Sequence, residues 1–580
     1  MVVNQCLLLI LQPTILYEEE IMRTKIFNIF ISTLCFLLCT VLLVGCDNQE
    51  LTEYEEDVYD ANGNLQITFF GIDIDSLQSP TKDTKLVLDY IEKNFKVKFN
   101  FISGSPDGWK TVLNQNIGGG DVPDIWFHEV DQPQYSSWLE DDYLMDFKPY
   151  LDDYPNIKAS FERYDVDKLE SYLGGGLYGF PIVLEENVEE DLVNTHGMYY
   201  RRDWADKVLA DGYKPSSGRE LKDPEDPTFD YNNFYDLMEA FTKGDPDGNG
   251  QNDTYGLALT KDGGIYWWYP MLSMFGVSSS TDWYWNETEN KWLPTITSSN
   301  MKLCLDYLAK MYDNGLINSN YATTATTTRM KNDFINGQAG TMIFNTGFEH
   351  AIGVFNLMEQ YTFKNGVKVK DMNDVCRGFP VITGVDGTKK MWGHTNKYGY
   401  RSISNFCSPT KREKILDIME WMLSEEGNRM LTYGIEGTHY KIENSEIVSL
   451  LGKDSSGEEY SFYDSSIARG LYFLKGLVSW NTEVPKANKY YEEAVAMENA
   501  WKQEYLISSK LAYCSIDSAY GITESDLNDM TIIAFQKYVG KTSASDREKV
   551  WSDFLSNYFK KGNSYINAMN RSAEELNIAH

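Results

Sequence analysis

The chain has 580 residues, and 52 Lys and Arg against 86 Asp and Glu leave a formal charge of −34. With 42% hydrophobic and 14% aromatic residues it holds ample material for a core, which excludes a disordered acidic polymer. The acidity argues against a nucleic-acid partner, because phosphate binding needs a surplus of Lys and Arg. The length exceeds one ordinary domain and predicts two large lobes or two to three domains.

Met22-Arg23-Thr24-Lys25 gives a basic start, Ile26 to Val44 an uncharged apolar run, and Leu43-Val44-Gly45-Cys46 an ending. That is the layout of a signal peptide over 22–45. Its last four residues resemble a bacterial lipobox, which implies that Cys46 becomes the acylated first residue of the mature protein. An uncleaved signal anchor is the alternative. The mature chain is then expected on the extracellular face of the cytoplasmic membrane, held by lipid alone, since no later apolar run reaches spanning length. Residues 46–64 read as a solvated tether, with seven acidic residues and no basic one between Asp47 and Asn64. Residues 1–21 read as a gene-model extension, because the basic start of a signal first occurs at Met22. Cys304, Cys376, Cys407 and Cys514 are widely spaced, which argues against a structural zinc site and suits buried small hydrophobes, their disulfide state left open.

Leu65, Ile67 and Phe69 alternate as a strand, Val87, Tyr90, Ile91 and Phe95 recur at helical spacing, and Val97, Phe99 and Phe101 alternate again. A second helix carries Trp109, Val112, Leu113 and Ile117, and Val122 to Phe127 forms the next strand, running into His128 and Glu129. Such repeated units predict a parallel sheet covered by helices, with ligands bound beyond the strands' carboxyl ends. Further helices follow at Tyr199–Trp204, at Phe234 to Phe241, at Met301 to Met311 and at Pro409 to Met422.

Asp245-Pro246-Asp247-Gly248-Asn249-Gly250-Gln251-Asn252-Asp253 carries oxygen side chains at positions 1, 3, 5 and 9 and glycine at position 6. A main-chain carbonyl, that of Gln251, falls at position 7. This is three-quarters of an EF-hand loop and suits a structural Ca²⁺. Gly256 stands where the bidentate Glu belongs, so a metal-free Asx-rich turn is the alternative.

The sequence resembles the extracellular solute-binding lipoproteins of carbohydrate ABC importers, of the large Gram-positive type, from about residue 64 to 570. The resemblance rests on the lipobox, Asp121-Val122-Pro123-Asp124-Ile125, Gly176-Leu177-Tyr178-Gly179-Phe180-Pro181 and the run Asp245 to Gly256. Gly337-Gln338-Ala339-Gly340-Thr341-Met342 and Gly434-Ile435-Glu436-Gly437-Thr438-His439-Tyr440 complete it. It implies an α/β fold, periplasmic-binding-protein-like type II, with two discontinuous lobes and a sugar cleft between them. Lobe one is expected over 65–185 and 345–405, and lobe two over 190–343 and 410–580. Crossings are expected near Phe180-Pro181, Phe344-Asn345 and Ser402–Ser404. The implied partners are a carbohydrate and separately encoded permease subunits, the protein is expected to be monomeric, and no catalysis is required.

A sugar offers flat C–H faces to aromatic rings and a rim of hydroxyls to polar groups. Candidates past strand ends are Asp73 and Asp75, then His128, Glu129, Asp131 and Gln132. Phe348 matches a stacking aromatic of maltodextrin-binding relatives, and Trp267, Trp268 and Trp392 lie in aromatic-rich irregular stretches. The sugar is expected between His128–Gln132 and Asn345–Phe348. A lipid-anchored glycoside hydrolase is the competing enzyme reading, requiring two carboxylates flanking the scissile bond. A calcium-dependent surface-binding module is the third.

Overall fold

The computed structural model describes residues 54–579 except 73, 106–107, 129–132, 184–191, 194–195, 261–265, 278–281, 324–325, 362–368, 396, 453–459, 461, 463–465, 480–489, 501–504, 508, 512–513 and 515–523. The signal segment and Cys46 lie outside the described residues. Glu56–His580 clusters as one unit; of the other, Met1–Glu55, only Tyr54 and Glu55 are described. Among the described residues no helix is long and apolar enough to cross a membrane.

The strand–helix–strand start that the sequence predicts is present as β1 (Leu65–Ile72), α1 (Lys82–Phe95) and β2 (Val97–Gly104). Thr81 opens α1 by accepting the Thr84 N–H, and Lys96 closes it in the left-handed region. α2 (Trp109–Gly119) leads into β3 (Ile125–His128), α3 (Pro133–Glu140) follows, and β4 (Phe180–Val183) comes next. These strands form a five-stranded sheet in the order β2-β1-β3-β11-β4, where β11 is Lys397–Ile403, antiparallel to both its neighbours. Every residue of β3 is buried, as expected for a strand covered on both faces.

The next elements are β5 (His196–Arg201), α4 (Arg202–Ala210), α5 (Tyr231–Lys243) and β6 (Tyr255–Ala258). A hairpin of β7 (Trp283–Asn286) and β8 (Lys291–Pro294) precedes α6 (Ser299–Asp313), α7 (Thr327–Ile335) and β9 (Ala339–Asn345). α8 (Phe348–Tyr361) and β10 (Cys376–Gly378) follow; after β11 come α9 (Pro409–Leu423), α10 (Glu524–Val539) and α11 (Ala544–Glu575). A second sheet has the order β10-β5-β9-β6, with β9 and β6 parallel. Successive residues point to opposite faces, so Tyr200, Ile343 and Leu257 enter one core and Tyr199, Met342 and Ala258 another. The second sheet is thus covered on both sides.

Two expected segments divide differently. Residues 345–405 do not stay together: Cys376 pairs with Arg201 at the edge of the second sheet, whereas β11 enters the first. Phe344-Asn345 therefore ends a strand within the second sheet instead of crossing, and the α8 side chains Phe355 and Met358 share a core with Met342 and Cys376. Ser402–Ser404 likewise does not cross, because Ser402 lies within β11. α9 was expected in lobe two, but Ile415, Met419 and Met422 bury in the first sheet's core. Between β4 and β5, and between β10 and β11, the chain passes from one sheet to the other.

Candidate functional site

The carboxyl ends of β1 and β3 and of β6 and β9 are where a ligand is expected. At the first sheet β3 ends on His128, which is fully buried. Its ring lies nearly parallel to Tyr135 at 5.1 Å and Tyr400 at 5.7 Å, with the Trp138 edge at 5.9 Å. Nε2 is 2.7 Å from Ser402 Oγ, and that hydroxyl donates its one proton to the Tyr178 carbonyl. Nε2 must then be the donor to Ser402, which fixes the tautomer. Gly179 makes this fit: a Cβ there would stand 2.8 Å from Tyr400 Cβ and 3.2 Å from His128 Nε2. His128, expected at the sugar, is instead an internal post between β3, β4 and β11. Glu129, Asp131, Gln132 and Asp73 lie outside the described residues. Asp75 is exposed at the first turn of a short helix, Asp75–Gln78.

At the second sheet, β9 ends on Phe344 and Asn345, both half-buried. Trp267, also half-buried, stacks on Phe344 with centroids 6.1 Å apart and planes 15° apart. His196, the first residue of β5, meets Trp267 edge-on at 4.2 Å and shares a 3.0 Å hydrogen bond between Nδ1 and the Tyr269 hydroxyl. His350 approaches Phe344 edge-on at 5.9 Å, and Asn345 Nδ2 lies 3.3 Å from its Nε2. The Lys331 ammonium, from α7, stands 5.4 Å from the Phe344 centroid. Flat apolar rings and amide and imidazole groups thus meet at one strand end. Phe348 begins α8, and its side chain lies outside what is described.

The adjacent tryptophans separate. Trp268 is 2% exposed and its Nε1 donates to the Thr260 carbonyl at 2.9 Å, so it belongs to the core. Trp392, 5% exposed, sits in the same core. Both were expected at the ligand, and burial removes them from a ligand-facing surface.

In the Asp245–Asp253 loop Gly250 N–H reaches the Asp245 carboxylate at 3.1 Å. Asn249 Nδ2 lies 2.7 Å from Asp247 Oδ2 and 3.2 Å from Asp253 Oδ1. Desolvation in the loop, with the carboxylates of Asp253 and Asp245, raises the Asp247 carboxyl above its usual range. The donor chemistry suits a hard cation, but an amide nitrogen occupies the space between the acids. Among the described residues no three His, Cys, Asp or Glu side chains converge as a metal site.

The model of the bacterial extracellular solute-binding protein family matches residues 85–437, more than half of the chain. The chain belongs to that family. It is 24% identical over 492 residues to the polygalacturonan/rhamnogalacturonan-binding protein YtcQ of Bacillus subtilis, covering 82% of this chain and 88% of YtcQ. Lipoprotein LipO of the same organism is 23% identical over 470 residues, covering 79% of this chain and 80% of LipO. In structure, the Streptococcus pneumoniae ABC-transporter substrate-binding protein FusA in complex with kestose superposes with a TM-score of 0.61 at 15% identity, over 89% of this chain and 99% of FusA. A FusA EF-hand mutant in complex with fructo-nystose gives 0.59 at the same identity and coverage. The fold is therefore the type II periplasmic-binding-protein-like α/β architecture, and the family's members are binding proteins.

Sequence reasoning missed His196, Phe344, His350 and Lys331 as a group. Phe344-Asn345 closing the run from Gly340 was the available signal, because it marks a strand's carboxyl end. The approach of His196 and Trp267 depends on antiparallel pairing of Asn345 with His196, which local sequence does not encode.

Proposed function

We propose that this solute-binding protein captures an oligosaccharide outside the cell and hands it to separately encoded permease subunits of an ABC importer, without catalysis. One observation carries the reading: the Trp267–Phe344 stack, flanked by the half-buried Asn345 and His350, at the carboxyl end of β9. Stacked rings bordered by amide and imidazole groups suit the two kinds of surface of a pyranose or furanose. The polygalacturonan/rhamnogalacturonan specificity of YtcQ and the kestose complex of FusA support a carbohydrate ligand. Trp267 would contact the sugar, with Phe348 just after β9 and Asp73, Asp75, Glu129, Asp131 and Gln132 after the strands of the first sheet as further candidates. The lobes would close around the sugar because only the closed state makes both halves of the contact set.

Cys46 would be lipidated, holding a monomer at the outer face of the membrane, a reading that the lipoprotein LipO supports. Cys46→Ser should release the mature protein from membranes, and unchanged attachment would overturn the anchor. Ca²⁺ would be held by Asp245, Asp247, Asn249 and Asp253 with the Gln251 carbonyl, supplying charge neutralisation and a stiffer loop; the EF-hand named for FusA supports it. The function itself is tested by a thermal-shift screen of mono- and oligosaccharides, since a ligand bound only by the native state raises the melting point. A shift with one saccharide series is expected. No shift with any, alongside hydrolysis of one, would favour an enzyme.

A further inference from the structure

Lys331 stands at the ring cluster that ends β9. Most of its neighbours are spoken for: on its own helix Arg329 Nε lies 2.6 Å from Asp333 Oδ1, and the Tyr255 hydroxyl donates to the other oxygen of that carboxylate at 2.7 Å. Lys331 is half-buried, and among the described residues it makes no ion pair and no hydrogen bond; its ammonium stands over the Phe344 ring, 5.4 Å from centroid to Nζ. A cation over a ring recovers only part of what an ammonium loses on leaving water. Its three N–H donors stay available to whatever occupies the end of β9.

α7 runs into β9 through the turn Asn336–Gln338, so the first half of α7 returns to the strand's carboxyl end, where Phe344 stacks on Trp267. A saccharide stacked on those rings turns its rim toward the ring edges. A neutral rim offers hydroxyls, whereas a uronate rim offers a carboxylate, the group that completes a half-buried ammonium by a charge-assisted hydrogen bond.

We infer that the captured ligand is an acidic oligosaccharide and that Lys331 binds its uronate carboxylate. This rests on the proposed capture of a saccharide at the Trp267–Phe344 stack.

The test is calorimetry with trisaccharides of galacturonate, glucuronate and mannuronate and with their neutral counterparts, plus neutral glucans and fructans, on the wild-type protein, Lys331→Met and Lys331→Arg. One acidic trisaccharide should bind at least tenfold more tightly than its neutral counterpart, an advantage that weakens with salt. Lys331→Met should remove that tenfold while leaving neutral affinity within about twofold, and Lys331→Arg should retain most of it. A neutral saccharide bound as tightly, or an acidic one indifferent to Lys331→Met in a protein of unchanged melting point, overturns the role of Lys331 and leaves saccharide capture standing. Binding of no saccharide, acidic or neutral, overturns both.

Discussion

Lys411 and Asp124 meet inside the first core: Nζ stands 2.8 Å from Oδ1, with the side chains 6% and 3% exposed. The same carboxylate accepts the Thr68 N–H at 2.7 Å and the Cys407 thiol at 3.2 Å. One acid from the segment before β3 therefore clips β1 to the start of α9, where Lys411 lies 287 residues from Asp124 in the chain. This contact explains why α9 joins the first sheet rather than the second.

Removing one partner of a buried pair strands the other charge. Lys411→Met should lower the unfolding free energy by about 3–5 kcal/mol, and the double variant with Asp124→Asn should lose less than the sum of the two singles. Denaturant unfolding measures both. A loss under about 1 kcal/mol for Lys411→Met, the range of exposed pairs, would show that the contact does not organise the core.

Asp282, just before β7, is 8% exposed, and burial raises its carboxyl from 3.8 to about 6 despite the Ser509 hydroxyl and the Trp283 main chain, which favour the ionised form. The folded protein then holds this proton more tightly than the unfolded chain does. Stability should fall as pH climbs from about 4 to about 6 and then level off, the ionised group costing on the order of 3 kcal/mol at neutral pH. Asp282→Asn should therefore be more stable than wild type near neutrality and equal to it at about pH 4, where the native acid is protonated. Urea unfolding at the two pH values decides, and equal stabilities at neutral pH would refute the cost.

The first βα units and the capped helices were legible because their signals are local. The alternation of Leu65, Ile67 and Phe69 sets β1, and Asp230 with Asn233 forms the capping box of α5. What sequence could not supply is partnership across hundreds of residues. His128 sits at a strand end, as expected of a ligand contact, yet Tyr135, Tyr400 and Ser402 close over it. Residues 376–378 and 397–403 are near neighbours in sequence, yet separate sheets claim them. Pairing partners, and not the periodicity of these short strands, decide that.

The Asp245–Asp253 loop gives a third test. Calcium entering it would displace Asn249 Nδ2 from between Asp247 and Asp253 and neutralise three clustered carboxylates. Added calcium at 100 times its dissociation constant should stabilise the fold by about 2.7 kcal/mol, and chelation should reverse this. Sugar selectivity should stay constant, because the loop lies after α5 and not among the rings at the end of β9. Differential scanning fluorimetry with calcium, with chelator and on Asp247→Asn measures it. A melting point indifferent to calcium in the wild type would leave the loop an Asx-rich turn.

Trp267 and Trp268 are adjacent in sequence and should behave oppositely. Trp268 is 2% exposed, with its indole N–H donating to the Thr260 carbonyl, so Trp268→Ala removes a core ring together with that hydrogen bond. That substitution should cost about 3–5 kcal/mol of stability. Trp267 is half-buried, and its ring rests on Phe344 at the strand end. Trp267→Ala should leave most of the stability intact while costing about 2 kcal/mol of ligand binding, close to thirtyfold in affinity. The pair is read by measuring melting temperature and saccharide affinity on each variant. A Trp267→Ala protein that folds normally and binds its sugar unchanged would remove the Trp267–Phe344 stack from the site. The same result in Trp268→Ala would say nothing of the ligand, since that ring never faces it.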